Sequence, residues 1–588
     1  MTDTPQVYGV DRIMGAETEY GVIAPTQPGT NPTVLSAMVV NTYAQLASKS
    51  GEALREQVQR AAHAAQLAQR GETEEYESTV ARGEQRQGVW SSASESPLTD
   101  AYGETMSAEE AHASQMTHTR RELTSEDIAL EVLREAGIDQ AATIHGRGGY
   151  PERLDWDAMT MNAILPNGAR LYVDHAHPEY SSPETRSPLD AVRYDAAGDV
   201  IAYRACREIA AHSELPPVSL YKNNTDSKGQ SYGAHENYML SRETEFEDIV
   251  AALLPFFATR SIMIGAGRVG IGRHGEQPGF QISSRADFFE RLVGLETTLR
   301  RPLINTRDEP HANSAKYRRL HVIPADANLS HYSNFLKFGT AALVLNLIES
   351  SKAPFIQLAD PVYAFQQVSH DLSLSVQLPL AYADADLNLG ESVTALQVQR
   401  IFLDACRTHE EANPAGVDAQ TRQVLELWDE VLTALETDPL SLADRLDWVA
   451  KYSLVRGYMA KGVPADSPKL AALDLQYADI DPDRGLYHRL VARGRMRTLF
   501  NSAQIEQAII EPPADTRAYL RGTLMHRFGH EIIGINWDSV SARGRYSREL
   551  TRLVMDEPAA YTREQVEPLL ARVHHSDQLL QALRDSQR

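Results

Sequence analysis

ARLYVDHAHPEY, residues 169–180, opens as a strand with one polar face. Side chains of an extended backbone alternate, so Arg170, Tyr172 and Asp174 share one face and Leu171 and Val173 the other. Apolar groups behind and oxygen- or nitrogen-bearing groups in front mark a strand with one buried face. Glu179 follows just past it. Far upstream, MGAETEYG (residues 14–21) repeats the arrangement, with Glu17 and Glu19 projecting together and Thr18 pointing away. In SYGAHENYML (residues 231–240), His235 and Asn237 alternate in the same way. If the two acidic strands line one cavity, they make a carboxylate-rich cleft. Hard oxygen ligands of this kind suit Mg²⁺, usually shared with nucleotide phosphates. The competing reading is a half-exposed sheet whose polar face meets only water. Arg285, Arg307 and His321 fall in polar stretches read as loops, where cations can meet phosphate oxygens or join surface ion pairs.

Around these strands the chain mixes elements without regular strand–helix alternation, which predicts an α+β fold. Residues 12–24 read as a strand that breaks at Pro25, Pro28 and Gly29. Residues 45–155, poor in aromatics and rich in Ala, Glu, Gln and Ser, read as a long, partly disordered insertion. Within it, helical spacing over 54–68 and capping signals around 126–136 predict two helices. Patterning through 206–212 predicts another helix, and residues 335–349, apolar all round, a buried one. The prolines of EPPADTRAYLRG (residues 511–522) mark a boundary, dividing a catalytic domain, 1–510, from a small C-terminal domain, 511–588.

With 57 Lys+Arg against 80 Asp+Glu, the 588-residue chain carries a formal charge of −23. That balance argues against a general nucleic-acid binder, which needs surplus cations to displace counterions. The apolar stretches at 249–258 and 341–348 are far shorter than the ~20 residues that span a bilayer, so no membrane association is expected. Two cysteines, Cys206 and Cys406, and no visible secretory signal fit the cytoplasm.

Two familiar patterns are rejected. Gly265-Ala-Gly-Arg-Val-Gly270 matches a dinucleotide fingerprint, but a Gly-rich polar loop follows where a helix must start. Gly229-Gln-Ser-Tyr-Gly233 matches a hydrolase elbow, but a polar loop precedes it and a strand follows. His175 and His177 lack the further ligands a zinc site needs.

MGAETEYGV, ARLYVDHAHPEYSSPE, SYGAHENYML, LDWVAKYSL, LDLQYADID, PPADTRAYLRG and NWDSV, in this order, resemble the Pup ligase/Pup deamidase family. The resemblance covers residues from about 12 to 45 and from about 156 to 545. It implies a glutamine-synthetase-like large domain, with a curved, mostly antiparallel sheet packed by helices, and a small C-terminal domain. Of the family's two activities it favours the depupylase, which deamidates Pup and cleaves its isopeptide bond to lysine. YVDHAHPEYSSPE lacks the Gly-Ser that ligases carry before His-Pro-Glu, and a long insertion precedes that strand, as in depupylases. The alternative is a Pup–protein ligase that forms the same bond and consumes ATP.

The resemblance further implies that Glu17, Tyr172 and Glu179 ligate magnesium, with Glu19 beside them. Arg170 and Ser182 would touch the nucleotide, and Trp537 would lie beside it. His235, Arg285, Arg307 and His321 would surround the phosphates, and Asp174 would be the catalytic aspartate. ATP is implied as a cofactor rather than a fuel. The expected partners are Pup and pupylated proteins, linked to a bacterial proteasome-type degradation pathway. The run RGLYHRLVARGRMRTLF, with Arg484, Arg489, Arg493, Arg495 and Arg497, is a candidate rim for an acidic partner or a helix balancing Asp479, Asp481 and Asp483.

Overall fold

The computed structural model describes residues 7–47, 89–90 and 161–586, apart from 214, 227–228, 299 and 544–549. Its centre is a six-stranded sheet built from β1 (Met14–Glu19), β2 (Asn162–Ile164), β3 (Arg170–Asp174), β4 (His177–Ser181), β5 (Ala234–Ser241) and β6 (Tyr317–Val322). The spatial order is β6-β5-β1-β4-β3-β2. Every neighbouring pair is antiparallel. β3 and β4 form a hairpin whose turn residues, His175 and Ala176, have φ of 43° and 73°. A two-residue turn needs this left-handed conformation, which Asn-Gly supplies more cheaply.

Behind the sheet, α1 (Pro188–Ala211) packs on β1 and α3 (His331–Glu349) on β5. α1 begins at Ser187, whose hydroxyl accepts the Asp190 N–H, with Pro188 in the first turn where no N–H is needed. A Cβ on Gly198 would come within 2.4 Å of the Tyr180 ring, so this glycine lets α1 close onto β4. α3 is buried from Ser333 to Ile348, as its lack of a polar face requires. Together with α2 (Phe246–Thr259) it forms the largest hydrophobic cluster, where Phe256 meets Phe402 and Trp428 edge-on. Leu345 is fully buried there, so Leu345→Ala should cost about 2–5 kcal/mol. A urea midpoint shift with unchanged slope would measure it.

A separate cluster gathers Tyr519 to Leu583 around β7 (Ile532–Ile535), β8 (Ser539–Arg543) and β9 (Leu550–Val554). A two-residue strand, Val89–Trp90, pairs in parallel with β7 at that sheet's edge. The helices expected over 54–68 and 126–136 lie outside the described residues, as does the rest of the 45–155 insertion beyond 45–47 and 89–90. Residues 45–47 belong to a helix that starts at residue 32.

Both rejected motifs have the backbone that rejection requires. The 265–270 stretch runs from a short helix into the strand Arg268–Ile271, which pairs with Gln277–Gln281 as a hairpin. Ser231 precedes β5 rather than a helix, and its hydroxyl accepts from Arg285 Nε at 3.2 Å. One loop reading fails. His321 lies on β6, where Leu320 and Val322 face the core and the Arg-rich spelling YRRLHV disguises the alternation. Among the described residues, no helix is long and apolar enough to cross a membrane.

Candidate active site

Cross-strand registry gathers the polar residues of the sheet onto one face. Glu17 pairs with Ser181 and His235, Glu19 with Glu179, Tyr172 with Glu179, and Asp174 with His177. His321 pairs with Asn237. Directly paired residues point the same way, so these side chains form a continuous polar surface. Two sets of groups lie close enough to share a cation, with their ligand atoms within 4.8 Å of one another. One is Glu19, Asp174 and Glu179; the other is Glu17, His235 and His321.

Glu19 is held at both oxygens, accepting the Gly233 N–H at 2.7 Å and lying 3.4 Å from His177 Nδ1. A Cβ at Gly233 would fall 2.5 Å from Glu19 Oε1 and 2.4 Å from His235 Nε2, so a larger residue there would displace both side chains. Burial opposes the Glu19 charge, but His177, His235 and His175 hold the carboxyl at about 2. Burial also opposes Glu17, which His235 and His321 hold well below the usual carboxylate range. His235 Nδ1 lies 3.2 Å from Glu17 Oε2, and Asn237 donates to Oε1 at 3.0 Å. Glu179 behaves oppositely: burial and then the charges of Asp174, Glu19 and Glu17 push it well above its ordinary value. The Tyr172 hydroxyl, kept neutral by burial and Glu179, donates to Glu179 Oε1 at 2.5 Å. The cleft therefore concentrates acceptor oxygens that a divalent cation would relieve of mutual repulsion.

Asp174 sits at the rim, its side chain 37% exposed, with His175 Nδ1 at 2.6 Å from Oδ2. That carboxylate lifts the His175 imidazole to about 9. On the other side of the cleft, burial lowers His321 to about 3, so its ring is neutral at pH 7. His321 Nδ1 and Arg307 Nε are buried without a hydrogen-bond partner. Arg170 lies over the Tyr172 ring at 3.8 Å and donates to Asn162 Oδ1. Ser182 accepts the Ala16 N–H at 2.9 Å and donates to the Pro183 carbonyl. Arg285 donates to the Ile323 and Ala325 carbonyls as well as to Ser231, which keeps it buried. Arg319, absent from the sequence-based set, donates to Asn237 Oδ1 at 2.8 Å and lies 3.8 Å from Glu17. The two-residue alternation of YRRLHV, applied backwards from His321, would have found it.

Trp537, between β7 and β8, is tied to the sheet through charge. Arg521 covers its ring at 4.6 Å and, with Arg517, grips Glu184 just beyond β4. Burial works against the Glu184 carboxylate, yet Arg521 and Arg517 hold it at about 2, against 4.5 for a free group. A depressed carboxyl stabilises the fold above 4.5 and loses that contribution as pH falls toward 2, here roughly 3 kcal/mol. Acidification through that window should weaken amide protection around the Glu184–Arg521 contact, as hydrogen exchange would report.

An α+β sheet with one face given over to carboxylates, imidazoles and guanidiniums forms an acidic cleft with the ligand chemistry a divalent cation needs. The profile of the Pup-ligase protein family matches residues 12–541, and this chain belongs to that family. A depupylase of Acidothermus cellulolyticus is 44% identical across 97% of this chain and 99% of its own. A Pup deamidase/depupylase of Mycolicibacterium smegmatis is 40% identical across 98% and 100%. A Pup–protein ligase of Acidimicrobium ferrooxidans is 37% identical but spans 70% of this chain and 90% of its own. The crystal structure of Pup with its ligase PafA superposes with a TM-score of 0.68, at 27% identity over 96% of this chain and 94% of that one. PafA in complex with ADP gives 0.63, at 32% identity over 73% and 97%. The expected glutamine-synthetase-like α+β architecture holds.

Proposed function

We propose that this chain is a depupylase and Pup deamidase, a cytoplasmic hydrolase that uses ATP and Mg²⁺ without consuming ATP stoichiometrically. The observation that carries the reading is the full-length match to relatives of that name, set against 70% coverage by the ligase relative. The acidic clusters supply the chemistry. Glu19 and Glu179 fit Mg²⁺, Tyr172 orders Glu179, and Glu17 with His235 and His321 offers a second position. The unpartnered His321 Nδ1 and Arg307 Nε fit phosphate oxygens, with Arg170, Ser182 and Arg285 framing the nucleotide side. Mg²⁺ held by these carboxylates would supply positive charge that stabilises a developing oxyanion, and the anionic phosphates of ATP would be held by the metal and the arginines.

Asp174 either attacks the γ-glutamyl carbonyl with a carboxylate oxygen, giving an anhydride that water then hydrolyses, or deprotonates the water that attacks the carbonyl. In the first route the carbonyl carbon–nitrogen bond breaks as the departing amine takes a proton from solvent; in the second the amine takes the proton that Asp174 removed from the water. On this reading residues 1–510 form the catalytic domain and 511–588 a small domain that brings Trp537 to the nucleotide. Pup and pupylated proteins are the partners, in a bacterial proteasome-type pathway. Arg489, Arg493 and Arg495 are exposed for an acidic partner, whereas Arg484 and Arg497 are paired with Asp479, Asp481 and Asp444. The test incubates the protein with a Pup–lysine conjugate, ATP and Mg²⁺. Shrinking conjugate without matching ADP supports the reading; conjugate formed with one ADP per bond would make it a ligase.

A further inference from the structure

The back of the sheet holds an ionic cluster that the chemistry of the cleft does not use. Thr18, between Glu17 and Glu19 on β1, points away from the cleft and donates from Oγ1 to Asp195 Oδ1 on α1 at 3.0 Å. Asp195 Oδ2 accepts from Lys222 Nζ at 2.7 Å and from Asn334 Nδ2 of α3 at 3.0 Å. Lys222 also reaches Asp199 at 3.0 Å, and Asp199 accepts the Tyr20 hydroxyl at 2.8 Å. Asn334 in turn accepts from Lys337 Nζ at 2.9 Å. A small internal cavity beside this cluster is lined by Thr18, Asp195, Lys222, Asn334 and Lys337.

The cluster meets the chain on both sides of Glu19, at Thr18 within β1 and at Tyr20 just after it. Glu17 and Glu19 share the cleft with Asp174 and Glu179, and like charges in a buried space push their strands apart. Strand pairing fixes which face each residue occupies, but not the roll of the strand about its axis. A buried hydrogen bond from the residue between the two carboxylates opposes that roll, because Asp195 is itself immobilised by Lys222 and Asn334. We propose that Asp195, acting through Thr18, is a positioning residue that sets the placement of the Glu17 and Glu19 carboxylates in the two candidate divalent-cation positions. The proposal rests on reading those two carboxylates as cation ligands.

Thr18→Val in the full chain removes the hydroxyl, keeps the shape and leaves the Asp195–Lys222 pair in place; Thr18→Ser restores the hydroxyl. Mn²⁺ alone, titrated by calorimetry, reads the cleft independently of any Pup chemistry, alongside thermal unfolding and turnover of a Pup–lysine conjugate. The expected result is about tenfold weaker Mn²⁺ binding by the Val variant at a temperature where it is folded, with Ser close to wild type. A purely structural role would lower the melting temperature and leave the Mn²⁺ isotherm superimposable on wild type, which overturns the proposal, as does failure of Ser to restore affinity. If the wild type binds Mn²⁺ yet cleaves no conjugate, the functional reading fails while the Thr18 comparison still decides this one. A wild type that binds no divalent cation overturns both.

Discussion

Asp174→Asn should leave a folded protein that binds nucleotide as the wild type does and no longer cleaves Pup conjugates. The side chain sits at the mouth of the cleft, outside every hydrophobic cluster, so an isosteric amide disturbs no packing. The change removes the one carboxylate of the acidic set that is exposed enough to meet a protein substrate, since Glu19 and Glu179 are buried. An amide oxygen is neither a nucleophile nor a base at neutral pH, and losing such a group costs at least ~10²-fold in turnover. The substitution also removes the partner that lifts His175 to about 9, so the His175 midpoint should fall back toward 6.5. Steady-state cleavage, melting temperature, a nucleotide titration and the proton resonance of His175 check the four parts separately. Cleavage near the wild-type rate would remove Asp174 from the chemistry.

Glu179→Ala should have its largest effect on metal-dependent nucleotide binding. The carboxylate is buried, bonded to Tyr172 and crowded by Asp174, Glu19 and Glu17, a placement that costs stability unless a cation uses it. Its removal deletes a hard ligand and leaves the Tyr172 hydroxyl without its acceptor. Outer-shell partners of metal sites already change affinity by about 10–100-fold, so a direct ligand should change it by no less. With like charges relieved, the fold itself should hold or gain stability. Calorimetric titration of Mg²⁺–ATP with parallel unfolding curves separates the two effects. Unchanged nucleotide affinity would exclude Glu179 as a ligand.

Sequence alone determined the faces. In residues 14–19, 170–174 and 234–241 a period of two sets polar against apolar groups, and that periodicity is local, so Glu17, Glu19, Tyr172, Asp174 and His235 were placed correctly before any strand was paired. The buried helix at 335–349 and the rejection of two false motifs were equally local, resting on polarity all round or on the element that follows a turn. Tertiary structure decided the partners. Glu179 stands on its own strand because His175 and Ala176 adopt left-handed turns that neither residue favours, and burial of Tyr180 on the far side holds the hairpin in register. Strands distant in sequence then determine that Glu17 joins His235 and His321 while Glu19 joins Asp174 and Glu179. Arg319 and His321 reach the cleft only because β6 pairs with β5, and Trp537 is linked to the end of β4 because Arg521, which covers its ring, binds Glu184 together with Arg517. Alternation along a strand is fixed by covalent geometry, whereas the register between strands is chosen by what the opposite face must bury, and no local pattern encodes that choice.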